Sequence, residues 1–374
     1  MVTSRIEELG ELFSGPGGMA LGAHRAAARA GVELKHAWAN DYDRDSVETY
    51  RKNIPGASDS SVICADVRSL DFQALPPITG LAFGFPCNDF SLVGEQKGVS
   101  GKFGPLYRSG VDALDALNPD WFVAENVGGI RSANEGQAFA KILSELSRSG
   151  KEGYAITPHL YRFEEYGVPQ ARHRVIIVGF RSGLGIKFLP PSSKPYRDAD
   201  VSARSALENP PIAPGATNNE RTVQSARVVE RLRAIPPGKN AFNADLPASL
   251  QLNVKGARMS QIYRRLHPEK PSYTVTGSGG GGTHVYHWDE PRALTNRERA
   301  RLQTFPDDFH FFGGKESVRK QIGMAVPVAG AAVVFEALFN SLLGQNYEIT
   351  QPNLQKFSDQ AVDILEGLNF DQPA

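Results

Sequence analysis

Only two cysteines occur among the 374 residues, and one of them, Cys87, stands where a thiol could do chemistry. It follows an apolar run over residues 80–85 and a proline, within Phe83-Gly84-Phe85-Pro86-Cys87-Asn88-Asp89-Phe90-Ser91. An apolar strand that delivers a thiol to its carboxyl end, behind a residue that stiffens the backbone, suits an exposed nucleophile. A buried, inert cysteine is the ordinary alternative. Glu125, in Ala124-Glu125-Asn126-Val127, ends a second apolar run. In an apolar pocket its carboxyl group would hold a proton near neutrality and serve as a general acid; on the surface it would be a plain solvated charge. Arg172 and Arg174, in Gln170-Ala171-Arg172-His173-Arg174, precede a third apolar run. At alternate positions of an extended segment they point to one side, as guanidinium forks for a base carbonyl or a phosphate. Two solvated arginines would give the same spacing. His173 faces the other way and is expected to be structural.

A different chemistry is written nearer the start. In Glu11-Leu12-Phe13-Ser14-Gly15-Pro16-Gly17-Gly18-Met19-Ala20 the glycines sit between a strand and a helix, where they let the backbone turn tightly and approach a nucleotide. Asp41 follows a second strand, placed for ribose hydroxyls, and Asp66 ends a third, placed for an adenine amino group. A plain strand-to-helix turn and a capping aspartate would look alike. The motif names a nucleotide-like cofactor without saying which.

These residues need a scaffold that brings strand ends together. Strands are expected over residues 9–13, 34–39, 62–65, 80–85, 121–124, 155–161 and 175–180, with helical stretches such as 19–30 and 43–52 between them. The alternation predicts a Rossmann-like α/β domain with a mostly parallel sheet, whose ligands bind beyond the carboxyl ends of the strands. Beyond residue 181 prolines multiply and periodicity fades, apart from a helix near 223–235 and a glycine run at 279–282. Helical character returns at 297–303 and 326–343. The expected division is a catalytic and cofactor domain over 1–181, a smaller irregular domain over 182–291, and a segment 292–374 that completes the first domain.

Composition excludes little. The chain has 41% hydrophobic and 22% charged residues and zero formal net charge, so a nucleic-acid footprint must be local. One candidate lies between Arg227 and Lys270, where nine basic residues face three acidic ones. No secretory leader and no membrane span are expected, and the few cysteines suit a reducing cytoplasm. No metal-ligand cluster is apparent.

In this order the motifs resemble those of the DNA cytosine-5 methyltransferases, in particular the bacterial restriction-modification type. Phe13–Gly18 resembles the family's cofactor loop, Pro86-Cys87-Asn88 its nucleophile loop, Glu125-Asn126-Val127 its acidic motif and Gln170–Arg174 its arginine motif. Residues 292–306 are similar to its ninth motif and 321–327 to its tenth. The resemblance implies methyl transfer from S-adenosylmethionine to carbon-5 of a cytosine rotated out of duplex DNA, with Cys87 as covalent nucleophile. It implies that Pro86 holds that thiol, Glu125 shares a proton with ring nitrogen 3 and Arg172 binds the base carbonyl. Arg174 supports the site, and Asn126 belongs with them. It implies a cofactor pocket of Phe13, Ser14, Gly15, Gly17, Gly18, Asp41, Tyr42, Asp66, Val67, Phe85, Met324 and Ala325. Gln170, Arg264, Arg265, Thr274 and Val275 are the implied DNA contacts, within a target-recognition region. Double-stranded DNA is the implied partner of a monomeric enzyme, with a restriction endonuclease as functional counterpart. Two departures stand out: Met324 where the family usually has asparagine, and Asn88 where it often has glutamine. The same chemistry on transfer RNA, and a non-catalytic DNA-binding regulator on this scaffold, stay open. A nicotinamide dehydrogenase leaves every motif after the glycine loop unexplained.

Overall fold

A computed structural model describes residues 5–85, 106–252, 261–280 and 282–357. Pro86, Cys87 and Asn88, and the basic residues Lys255 and Arg258, lie outside the described residues. The chain divides into two compact units. One comprises residues 1–162, 173–194 and 331–374, the other residues 163–172 and 195–330.

The first unit is built on a seven-stranded sheet of β1 (Ile6–Leu12), β2 (Glu33–Asp41), β3 (Val62–Cys64), β4 (Gly80–Gly84), β5 (Trp121–Val127), β6 (Tyr154–Arg162) and β8 (His173–Arg181). The order is β3-β2-β1-β4-β5-β8-β6, and only β8 runs antiparallel to its neighbours. Strand order reverses between β1 and β4, so a crevice opens at their carboxyl ends. All seven expected strands are present, and the α/β class is as the alternation implies.

Local sequence sets the helices of this unit. Helix α1 (Gly18–Ala30) puts Met19, Ala20, Ala23, Ala26, Ala27 and Ala30 on its buried face, at helical spacing. Gly17 precedes it at φ 95°, a left-handed conformation in which a Cβ would also strike Ile54. Helix α2 (Arg44–Asn53) starts at Asp43, whose carboxylate accepts from the Ser46 amide. Helices α3 (Leu106–Leu117) and α4 (Gln137–Arg148) follow β4 and β5. The core gathers Leu12, Trp38, Phe83, Phe122, Phe139 and Ile177. From Ala331 onward, helix α9 (Val328–Leu342) belongs to this unit, and Phe335 and Phe339 meet Trp121 edge-on.

The second unit has little regular structure. It holds β7 (Gln170–Ala171), α5 (Ala203–Glu208), α6 (Ala226–Ala234), β9 (Ser272–Tyr273), α7 (Asn296–Leu302) and α8 (Lys315–Met324). Strands β7 and β9 pair in parallel, Gln170 with Ser272 and Ala171 with Tyr273. Helix α7 opens with a reciprocal capping box between Thr295 and Glu298. Arg297, fully buried, donates to the carbonyls of Thr217, Pro306 and Phe309. Residues 292–330 were expected with the sheet domain; by compactness they group with the irregular region. The physical reason is visible in α7, whose buried arginine satisfies carbonyls of the loops around it.

Candidate active site

At the carboxyl end of β1 the chain turns through Phe13, at φ 53°, and Gly15, at φ 52°. Asp41, at the end of β2, fixes this turn: its Oδ2 accepts from the Gly15 amide at 2.8 Å and its Oδ1 from the Asp43 amide at 2.9 Å. The Ser14 hydroxyl is buried without a hydrogen-bond partner, while the Tyr42 ring beside Asp41 is 67% exposed. Asp66, two residues past the end of β3, accepts from the Arg68 amide and pairs with the Arg68 guanidinium. Those hydrogen bonds hold its exposed carboxyl down at about 2. Val67 and Phe85 are buried in the core, and Gly18 starts α1. A glycine turn tied to a carboxylate, an orphaned hydroxyl and an exposed aromatic residue at neighbouring strand ends fit a nucleoside: ribose hydroxyls for Asp41, a π-face for Tyr42 and Phe13. Met324 is the exposed last residue of α8, and Ala325 follows it, buried, in the second unit.

The acidic and arginine motifs meet on two adjoining strands. Glu125 on β5 accepts from Arg174 Nε on β8 at 2.7 Å, with both side chains mostly buried. The sheet register places Gly84 opposite Glu125 and Val127 opposite Arg174. A Cβ on Gly84 would sit 3.2 Å from Glu125 Oε2, so the carboxylate lies across the end of β4. Cys87 follows three residues later in the chain. Asn126 donates from Nδ2 to the Phe85 carbonyl at 3.0 Å and anchors the last described residue before Cys87. The apolar pocket expected for Glu125 is thus an ion-paired one.

Arg172 and Arg174 do not act as a pair. Arg172 lies between β7 and β8, in the second unit, and is 1% exposed. Its Nη1 donates to the Val275 carbonyl at 3.0 Å and its Nη2 to the Gly323 carbonyl at 2.9 Å. Alternate spacing alone put the two on one side; in the structure Arg172 engages its Nη donors with backbone carbonyls of the second unit, while Arg174 on β8 pairs with Glu125. His173 between them is exposed.

Of the expected DNA contacts, most are inside the second unit. Gln170 is fully buried and bonds Leu302, Gln303 and the Val275 amide. Val275 is buried, and Thr274 donates to the Ala171 carbonyl. Arg265, expected at the groove, donates instead to the carbonyls of Leu232, Ile235 and His287, because a loop core rich in unpaired carbonyls needs a donor with several N–H groups. Arg264 is half-exposed and lies over the Tyr273 ring at 4.4 Å. Sequence reasoning missed the Phe85 anchor of Asn126 and the buried carboxyl of Glu11. The available signal for the latter was a glutamate between Gly10 and Leu12, next to last in β1.

Residues 8–340 match the family described as C-5 cytosine-specific DNA methylase. The chain belongs to that family. It is 55% identical to the type II methyltransferase M.BbvI of Brevibacillus brevis, over 96% of this chain and 97% of that one. It is 40% identical to the type II methyltransferase M.NgoFVII of Neisseria gonorrhoeae, over 90% and 87% of the two chains. Among solved structures, a DNA modification methyltransferase encoded within an E. coli prophage shares the fold, with a TM-score of 0.67 at 24% identity over 90% of this chain and 99% of that one. The enzyme is therefore a DNA cytosine-5 methyltransferase of the restriction-modification type, from a family that depends on S-adenosylmethionine.

Proposed function

We propose that this methyltransferase works through a covalent Cys87–cytosine adduct on a base rotated out of the duplex, with Glu125 and Arg174 as the groups that hold the base. The observation that carries the reading is the Glu125–Arg174 ion pair across the end of β4, the strand that leads to Cys87. Carbon-5 of cytosine is too weak a nucleophile to take a methyl group unaided. Addition of the Cys87 thiolate to carbon-6 forms a carbon–sulfur bond and pushes electron density to carbon-5 and ring nitrogen 3. Glu125 shares a proton with nitrogen 3, and Arg174 stabilises the charge on the carbonyl oxygen. That oxygen-binding role, implied for Arg172 by resemblance, passes here to Arg174, because the Nη donors of Arg172 are engaged with backbone carbonyls. Once carbon-5 is methylated, loss of its proton expels the thiolate and restores the aromatic ring. Bound S-adenosylmethionine supplies the methyl group; Phe13, Asp41, Tyr42 and the Gly15–Gly18 turn would hold its nucleoside. Extruding the base costs a few kcal/mol, offset by backbone contacts of the recognition region.

We further propose that it acts on cytoplasmic DNA, with a restriction endonuclease cutting the same sequence when it is unmodified. Bisulfite sequencing of host DNA after expression tests methylation and reads out the recognised sequence. A duplex carrying 5-fluorocytosine at that position, incubated with cofactor, is expected to give a denaturation-resistant protein–DNA complex, since fluorine cannot leave as the proton does. Methylation without such a complex would remove the covalent step from the proposal.

A further inference from the structure

Two arginines of the second unit each keep a buried N–H that no hydrogen-bond acceptor meets among the described residues. Arg299, on α7, is 1% exposed. Its Nη2 lies 3.2 Å from His284 Nδ1 and its Nε donates to the Leu294 carbonyl at 3.5 Å, while Nη1 is buried without a hydrogen-bond partner. Arg319, on α8, reaches only Glu316, an almost fully exposed carboxylate 3.5 Å away, and its buried Nε also lacks a hydrogen-bond partner. Both line one small cleft together with Lys315, His284 and Glu220. Glu220, the one carboxylate lining it, forms no ion pair with either arginine among the described residues.

Electrostatics make the vacancy of partners expensive. Burial, and then Arg319, press the Arg299 guanidinium down to about 10, so it stays charged at neutral pH. Burial, then Arg299 and Arg319, press His284 down to about 4, which leaves it neutral, with Nδ1 free to accept from Arg299. Lys315 and Arg319 are one turn apart on α8, where like charges repel. The helix begins at Lys315, and Gly314 before it offers no side-chain cap, so its positive end adds to the same field. A buried guanidinium with an unmet donor is costly unless an anion meets it. The glycine run reports on the same face: a Cβ on Gly279 would lie 2.2 Å from Arg319 Nε, and one on Gly277 would lie 3.0 Å from Lys320 Cα. Bare backbone is laid against this cationic flank of α8.

We propose that the cleft seats a backbone phosphate of the bound duplex, its non-bridging oxygens accepting from the guanidinium groups of Arg299 and Arg319 that line it. Its inner space takes one oxygen-sized group, which suits a phosphodiester presented from outside and not an engulfed nucleotide. Such a contact reads no base; it adds affinity and fixes register. The inference rests on DNA being the substrate, which family membership gives, and is independent of the Cys87 adduct.

Arg299→Gln is the direct variant, but it alters a buried packing position; Arg319→Gln, at a more exposed side chain, provides a second. Full-length parent and variants are titrated with duplexes with and without the recognised sequence across a series of sodium chloride concentrations, after thermal melts confirm folding. Folded Arg319→Gln is expected to bind both duplexes about tenfold more weakly at low salt, with the slope of log Kd against log salt shallower by about 0.9. A folded variant with the parent's affinity and slope would overturn the proposal. Inorganic phosphate, titrated at constant ionic strength with chloride as control, separates the source of the anion. A phosphate-dependent rise in melting temperature, with DNA binding unchanged in the variant, would reveal an anion pocket unrelated to DNA and also overturn it. A parent that binds duplex without forming the fluorocytosine complex would count against the adduct alone.

Discussion

In the sheet unit, Arg174 meets a carboxylate at 2.7 Å at the end of a strand. In the irregular unit, Arg172, Arg265 and Arg297 turn inward and donate to backbone carbonyls. The two settings assign the same side chain different work. A guanidinium held by one carboxylate at a strand end can exchange part of that bond for a substrate oxygen. One that satisfies several carbonyls of a loop-built core cannot leave without orphaning them. Arg299 and Arg319 belong to neither class: each keeps a buried N–H without a hydrogen-bond partner, at one small cleft.

Substitutions can break or sharpen this contrast. The largest effect is expected from Cys87→Ser, which should lower transfer of labelled methyl groups to duplex DNA by about a thousandfold or more while leaving the melt unchanged; full activity in that variant would end the covalent reading. Arg174→Ala should lower turnover by about a hundredfold or more in a chain that still folds. Arg172→Ala should do the reverse in kind, costing about 3 kcal/mol of stability in urea unfolding by stranding two buried carbonyls. If Arg172→Ala were as stable as the parent and Arg174→Ala were unfolded, the assignment would have to be exchanged.

The smallest effect concerns Glu11 on β1. It is fully buried, accepts from the Tyr50 hydroxyl at 3.0 Å, and its Oε1 has no hydrogen-bond partner. Burial pushes its carboxyl up from 4.5 to about 8. The folded chain therefore holds a proton that the unfolded chain releases between those values. Its contribution to stability is complete below about pH 4.5 and is lost as pH rises through about 8. Glu11→Gln keeps the acceptor for Tyr50 and removes the titration. Its melting temperature should gain on the parent's between pH 5 and pH 9; a gap that stays constant would contradict the buried, protonated carboxyl.

The sheet was legible because its strands are short apolar runs bounded by turns, and the strand-end motifs fall where that topology delivers ligands. Glu125, Asp41 and the glycine turn could thus be placed from order and spacing. Helix α8 escaped notice because Lys315–Met324 carries only Val318, Gln321, Ile322 and Gly323 on its buried side, too weak an apolar stripe to read. The split between Arg172 and Arg174 was invisible for another reason. It depends on a two-residue strand pairing with Ser272-Tyr273 about a hundred positions away, and no local pattern announces such a partner. Buried arginines posed the same problem in residues 227–270, where a basic segment looks like a nucleic-acid face whether its charges point out or in.

The Gln170-Ala171 pairing with Ser272-Tyr273, reinforced by the bonds from Arg172 to Val275 and Gly323, acts as a buckle whose geometry is independent of what it encloses. Closing a flexible segment costs only about 0.6 kcal/mol more for each doubling of its length. Stretches of residues 195–271, which lie between the fastened ends and outside the sheet unit, can therefore be shortened, extended or exchanged for unrelated ones at small thermodynamic penalty. On that ground a descendant of this chain could acquire a new target sequence while its catalytic sheet is inherited intact.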